Sequence, residues 1–127
     1  MFEVTVEETF SSGHALRGYK GKCENPHGHN YKVRVMLAGK QLDHIGLLYD
    51  FKDVKQIIAA TVDRLDHQYI NDIAPFDVIN PSAENLAKYF FDESTRLLAE
   101  RLPANGVTVT KVTVWETDTT TATYTPD

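Results

Sequence analysis

The chain has 127 residues, a formal net charge of −5, 42% hydrophobic and 24% charged residues, and a single cysteine, Cys23. That size suits one domain spanning residues 1–127 with the composition of an ordinary soluble globular protein. The acidic balance argues against a nucleic-acid surface, no apolar run approaches the ~20 residues that cross a bilayer, and one thiol excludes an intrachain disulfide.

The opening MFEVTVEE has neither the basic start nor the apolar stretch of a secretory leader, so a cytoplasmic location is expected. Phe2, Val4 and Val6 alternate with Glu3, Thr5 and Glu7, the period of a half-buried strand. A loop with Gly18, Gly21 and Pro26 follows, and its cations Arg17, Lys20 and Lys22 are either solvated surface charge or a meeting point for an anionic small substrate. The alternation of Tyr31, Val33, Val35 and Leu37, ending at Ala38-Gly39, predicts a second strand. Val54, Ile57, Ile58, Val62 and Leu65 follow helical spacing from Phe51, with Asp50 as the N-cap. Beyond the irregular stretch 71–80, Pro81 is expected in the first turn of a second helix, whose stripe is Ala83, Leu86, Ala87, Phe90, Leu97 and Leu98 and whose end lies near Pro103 and Gly106. The tail, Val107 to Thr117 and Thr119 to Thr125, returns to strand-forming residues. The order ββααββ predicts an α+β domain, an antiparallel sheet with helices on one face, and its open edges predict a homo-oligomer joined through sheets.

His27-Gly28-His29 puts two imidazoles on one side of a strand, sharing parity with Tyr31, Val33 and Val35. His14 shares parity with Phe2, Val4 and Val6, so three histidines can converge between neighbouring strands. Three neutral imidazoles suit zinc and leave a fourth position for water or substrate. Spacing alone also allows ordinary hydrogen-bonded histidines, or a closed structural site completed by Cys23. Glu116 has the parity of Val112 and Val114, so it projects from an apolar face or emerges into water at a strand end.

Cys23-Glu24-Asn25-Pro26-His27-Gly28-His29 matches C-x-x-x-H-G-H, and with it stand F-S-S-G-H at Phe10 to His14, Tyr49-Asp50-Phe51, Leu65-Asp66-His67, Pro81-Ser82-Ala83-Glu84-Asn85 and Val114-Trp115-Glu116-Thr117. These segments, in order along the whole chain, resemble the 6-pyruvoyltetrahydropterin and 6-carboxytetrahydropterin synthase family. The resemblance implies the tunnelling fold, with sheets joined between subunits into a barrel, a homohexamer built as a dimer of trimers, and active sites between subunits. It further implies one zinc ion per subunit on His14, His27 and His29, a catalytic set of Cys23, Asp66 and His67, and Glu116 as anchor of the pterin ring. The implied substrate is a pterin triphosphate, with neither nucleic acid nor membrane as partner. Cys23 at this spacing favours the 6-carboxy activity of queuosine biosynthesis over the pyruvoyl one. Glu24-x-x-His27-Gly28-His29 also satisfies E-x-x-H-G-H, the pattern of relatives that cleave the side chain for folate synthesis. Asp43-His44-Ile45-Gly46-Leu47-Leu48 departs from the family's usual G-M-V-x-D-F approach to helix one. A zinc-stabilised oligomer without activity, or a pterin-binding module without turnover, are the readings outside enzymology.

Overall fold

The alternation that begins at Phe2 persists for thirteen residues in the computed structural model, making β1 Phe2–His14. It pairs antiparallel with β2, His27–Gly39, along its whole length, from Phe2 opposite Gly39 to His14 opposite His27. β3 (Thr108–Thr117) adds to β2 and β4 (Thr120–Tyr124) to β3, so the sheet runs β1-β2-β3-β4 and every neighbour is antiparallel. Two helices, α1 (Phe51–Leu65) and α2 (Ala83–Arg101), intervene between β2 and β3, and short 3-10 turns occupy Lys22–Glu24 and Ile70–Asp72. The structure describes residues 1–101 and 106–127; the expected end of the second helix at Pro103 lies outside the described residues. The order is ββααββ, as expected.

Asp50 caps α1, its carboxylate accepting from the Lys52 N–H at 2.9 Å. Pro81, expected in the first turn of α2, instead precedes the helix, which begins at Ala83. The reason lies in Ser82, whose hydroxyl accepts from the Asn85 N–H (3.1 Å) while its carbonyl accepts from Leu86 (2.9 Å), so the serine rather than the proline starts the helix. The Pro81 carbonyl is thereby left outside the helical ladder.

Both helices cover one face of the sheet. Phe10, Tyr31, Val33, Val35, Val112 and Val114 from the strands are buried against Ile58, Leu65, Leu86 and Phe90 from the helices. Phe10 and Tyr31, opposite each other in register, stack at 4.9 Å and form the floor beneath the histidine end of the sheet. The other face is polar: Glu7 lies 2.6 Å from Arg34, and Lys32 and Arg34 stand 4.2 and 4.8 Å from the Trp115 ring centroid. Among the described residues no helix is long and apolar enough to cross a membrane.

Candidate metal centre and its surroundings

β1 ends and β2 begins in register, so His14 and His27 are opposite residues and His29 sits two further along on the same side. Unlike most strand-end side chains, these point toward the helix-covered face, where His14 is completely buried. The ring of His14 donates from Nδ1 to the Pro81 carbonyl at 2.7 Å, and that of His27 from Nδ1 to the Asn25 carbonyl at 2.8 Å. Each bond fixes a tautomer, because a carbonyl can only accept; the two Nε2 atoms are then left with lone pairs. They face each other at 3.0 Å. With both rings neutral, two lone pairs at that distance suit a shared cation.

Glu116, from β3, completes the cluster: one ligand atom from each of His14, His27, His29 and Glu116 lies within 4.8 Å of the others. Its carboxylate is 3.0 Å from His29 Nε2 and 3.7 Å from His14 Nε2. His29 Nε2 is buried yet makes no well-aligned hydrogen bond, so the carboxylate neighbours it without occupying its lone-pair direction. Burial pushes the pKa values of His14 and His29 below the ordinary imidazole range despite the Glu116 charge that opposes it. Neutral imidazoles with oriented lone pairs, held by second-layer carbonyls, are the donor set that zinc takes. Under the same cluster the Tyr31 ring meets His14 and His29 edge-on, and burial followed by the Glu116 charge drives its phenol pKa upward.

Cys23 lies half-buried in the 3-10 turn Lys22–Glu24, tied to the end of β1 by a 2.8 Å bond from the Leu16 N–H to its carbonyl. Its thiol is not a member of the ligand cluster found among the described residues, which removes the geometric basis for a closed site completed by cysteine. Asp66 and His67 follow α1. His67 adopts φ 57°, the left-handed bend that lets adjacent side chains meet, and its Nδ1 lies 3.0 Å from Asp66 Oδ1. The same oxygen accepts from the Ser11 N–H at 2.9 Å, and this bond, followed by the His67 ring, holds the carboxyl below the usual carboxylate range. His67 itself is 81% exposed.

Two recesses surround this pair. One of about 550 Å³ is bordered by Ser11, Asn30, Lys32, Asp66, His67 and Trp115 on the polar face. The other, about 460 Å³, lies over Gly13 and Gly28 and is bordered by His29, His67 and Gln68, so one member of the histidine cluster and one of the Asp66–His67 pair share its rim. Of the three loop cations, Arg17 is engaged: its guanidinium donates to the carbonyls of Ile79 (3.2 Å), Asn71 (3.3 Å) and Phe76 (2.7 Å). Sequence reasoning passed over the Pro81 carbonyl and Tyr31; parity with the histidines was the available signal for Tyr31, and none existed for a main-chain acceptor.

The model of the family described as 6-pyruvoyl tetrahydropterin synthase matches residues 3–127. A 6-carboxy-5,6,7,8-tetrahydropterin synthase of Aquifex aeolicus is 32% identical over 123 residues, covering 81% of this chain and 75% of the relative. A 6-pyruvoyl tetrahydrobiopterin synthase of Dictyostelium discoideum is 34% identical over 102 residues, covering 71% and 76%. The solved 6-pyruvoyl tetrahydropterin synthase of Caenorhabditis elegans superposes with a TM-score of 0.82 at 30% identity, over 100% of this chain and 98% of that one. With ββααββ topology, the histidine cluster and a match along nearly its whole length, the chain belongs to the 6-pyruvoyl tetrahydropterin synthase family of tetrahydropterin-forming enzymes.

Proposed function

We propose that this chain converts 7,8-dihydroneopterin triphosphate to 6-carboxy-5,6,7,8-tetrahydropterin, releasing triphosphate and acetaldehyde, as a cytoplasmic zinc-dependent homohexamer serving queuosine biosynthesis. The observation that carries the reading is the convergence of the His14, His27 and His29 nitrogens, the last two following the Cys23 turn in the C-x-x-x-H-G-H spacing of the 6-carboxy enzymes. Zinc on those nitrogens would supply Lewis acidity toward the oxygens of the substrate side chain.

The remaining work falls to side chains. Cys23 is the general base that takes a proton from the pterin side chain. Asp66 orients and polarises the His67 ring across their 3.0 Å contact, and exposure of that ring suits exchange of protons with substrate or solvent. Glu116 accepts the paired N–H donors of the pterin edge on its two carboxylate oxygens, a bidentate match that water cannot equal. Lys20 and Lys22, exposed and without the carbonyl bonds that hold Arg17 among the described residues, are the loop cations left for the triphosphate.

The test is mass-spectrometric identification of products from zinc-loaded protein and 7,8-dihydroneopterin triphosphate. 6-Carboxytetrahydropterin with acetaldehyde supports the proposal, and unchanged substrate refutes it. A pyruvoyl or hydroxymethyl pterin would move the chain within its family; Glu24, exposed beside Cys23 and in E-x-x-H-G-H spacing, favours the hydroxymethyl product as second reading. Cys23→Ala should retain zinc and fold while losing turnover, whereas loss of zinc would return the cysteine to the ligand set. Light scattering during size-exclusion chromatography checks the hexamer.

A further inference from the structure

Along the outer edge of β1 the odd-numbered residues turn their backbone groups away from β2, and from Ser11 onward they find partners. Ser11 donates to Asp66 Oδ1 (2.9 Å) and its carbonyl accepts from the His67 N–H (2.6 Å). Gly13 donates to the Gln68 carbonyl at 3.0 Å. Past the end of the strand, side-chain amides replace main-chain partners. Asn71 Oδ1 accepts from the Ala15 N–H and its Nδ2 donates to the Ala15 carbonyl, each at 2.9 Å. Asn80 repeats the pattern on Arg17, accepting at 2.8 Å and donating at 2.9 Å. A primary amide carries both halves of the peptide's hydrogen-bonding pair, so two asparagines stand in for two rungs of a strand.

Asn80 is the rung that reaches the metal centre, because the next residue is Pro81, whose carbonyl holds His14 Nδ1 at 2.7 Å. The main-chain carbonyl of Asn80 is itself held by Asn85 Nδ2 at 2.8 Å. Proline has no N–H with which to anchor itself, so the position of its carbonyl depends on its neighbours. Arg17, two residues beyond Ala15 and three beyond His14, is clamped to the same loop that orients His14. The distance between ring and carbonyl is thus set by one closed loop of bonds.

We propose that Asn80 is a positioning residue of the metal centre: its amide clamp on the Arg17 main chain holds the Pro81 carbonyl where it fixes His14 as an Nε2 ligand. The inference rests on the reading of His14 as a metal ligand, and its test separates the two. Wild type, Asn80→Ala and Asn80→Asp are stripped with a chelator, then titrated with zinc against a chromophoric competitor and with cobalt(II) under visible spectroscopy. Thermal unfolding of the metal-free proteins is followed in parallel.

Asn80→Ala weakens zinc binding several-fold, by less than the roughly 10–100-fold of losing the direct partner of a metal-bound histidine, and alters the cobalt absorption bands. Asn80→Asp keeps the acceptor for the Arg17 N–H and loses the donor to the Arg17 carbonyl, so it recovers part of the affinity. Unchanged zinc affinity and cobalt spectrum in Asn80→Ala, whatever its unfolding temperature, overturn the proposal. Should Asn80→Ala not fold, Asn80→Asp decides: wild-type affinity overturns the proposal and a weakened one supports it. A wild-type chain that takes up neither metal overturns the metal reading itself, and this inference with it.

Discussion

Replacing His14 by alanine should cost the metal-free protein far more than replacing His27, although both changes abolish tight zinc binding. His14 is 0% exposed, and its ring packs against those of His27, His29 and Tyr31 at 4.6, 5.0 and 5.8 Å. Its loss strands the buried Pro81 carbonyl, a cost of about 1–3 kcal/mol, and opens a hole beside Tyr31. The hole costs about half the ~3–5 kcal/mol of a buried Phe→Ala change, since imidazole is smaller and more polar than a phenyl ring. Relief of the 3.0 Å approach between the two Nε2 atoms offsets part of this. The net is about 3 kcal/mol, or a fall of roughly 10–15 °C in Tm for a domain of this size. His27 is only half-buried, and its partner, the Asn25 carbonyl, belongs to an exposed residue that water can reach, so His27→Ala should cost under about 1 kcal/mol. Thermal and urea unfolding in excess chelator, at one protein concentration, measure both. Equal losses would show that the Nδ1 bond to Pro81 contributes nothing and that the burial argument is wrong.

Glu116→Ala should retain zinc within about tenfold while weakening binding of a pterin analogue by about 10–100-fold, a lost charge-assisted pair contributing ~1.5–3 kcal/mol; parallel loss of zinc would make the carboxylate a ligand instead. At position 67 the left-handed backbone favours glycine, so His67→Gly should be about 1 kcal/mol more stable than His67→Ala in urea unfolding, while both lack turnover. The metal-free protein should lose stability as pH falls below 6.5, because the unfolded chain's histidines protonate there while His14 and His29, with lowered pKa values, remain neutral in the fold. Protons therefore bind the unfolded state preferentially from pH 6.5 down to the lowered values, and Tm compared at pH 7.5 and 5.5 in chelator tests it; a Tm unmoved across that range would contradict it.

The strands and the common side of the three histidines could be read from period-two alternation, and the two helices from apolar positions at helical spacing, because each depends only on local periodicity. The length of β1 could not. Ser11-Ser12-Gly13 interrupts the apolar pattern, and only the fold shows that Ser12 is buried with its hydroxyl on the Leu65 carbonyl, extending the strand to His14. Pro81 was misplaced by two residues because proline's preference for a first turn competes with serine's for the cap, and the serine hydroxyl won. Asn71 and Asn80 lie in a stretch without periodicity. Their role depends on main-chain groups 56 and 63 residues away, and no local pattern encodes that. The pairing of Asp66 with His67 needed a bend that sequence could require but not demonstrate.

The clothed and bare halves of β1 have a consequence for assembly. From Ser11 onward the outer edge is already hydrogen-bonded, whereas residues 3, 5, 7 and 9 have no such partner among the described residues. A strand arriving from another copy can therefore zip onto this edge only along its first nine or so residues. The Asp66–His67 turn bounds how far such a strand can run, and so limits the staggers open to it.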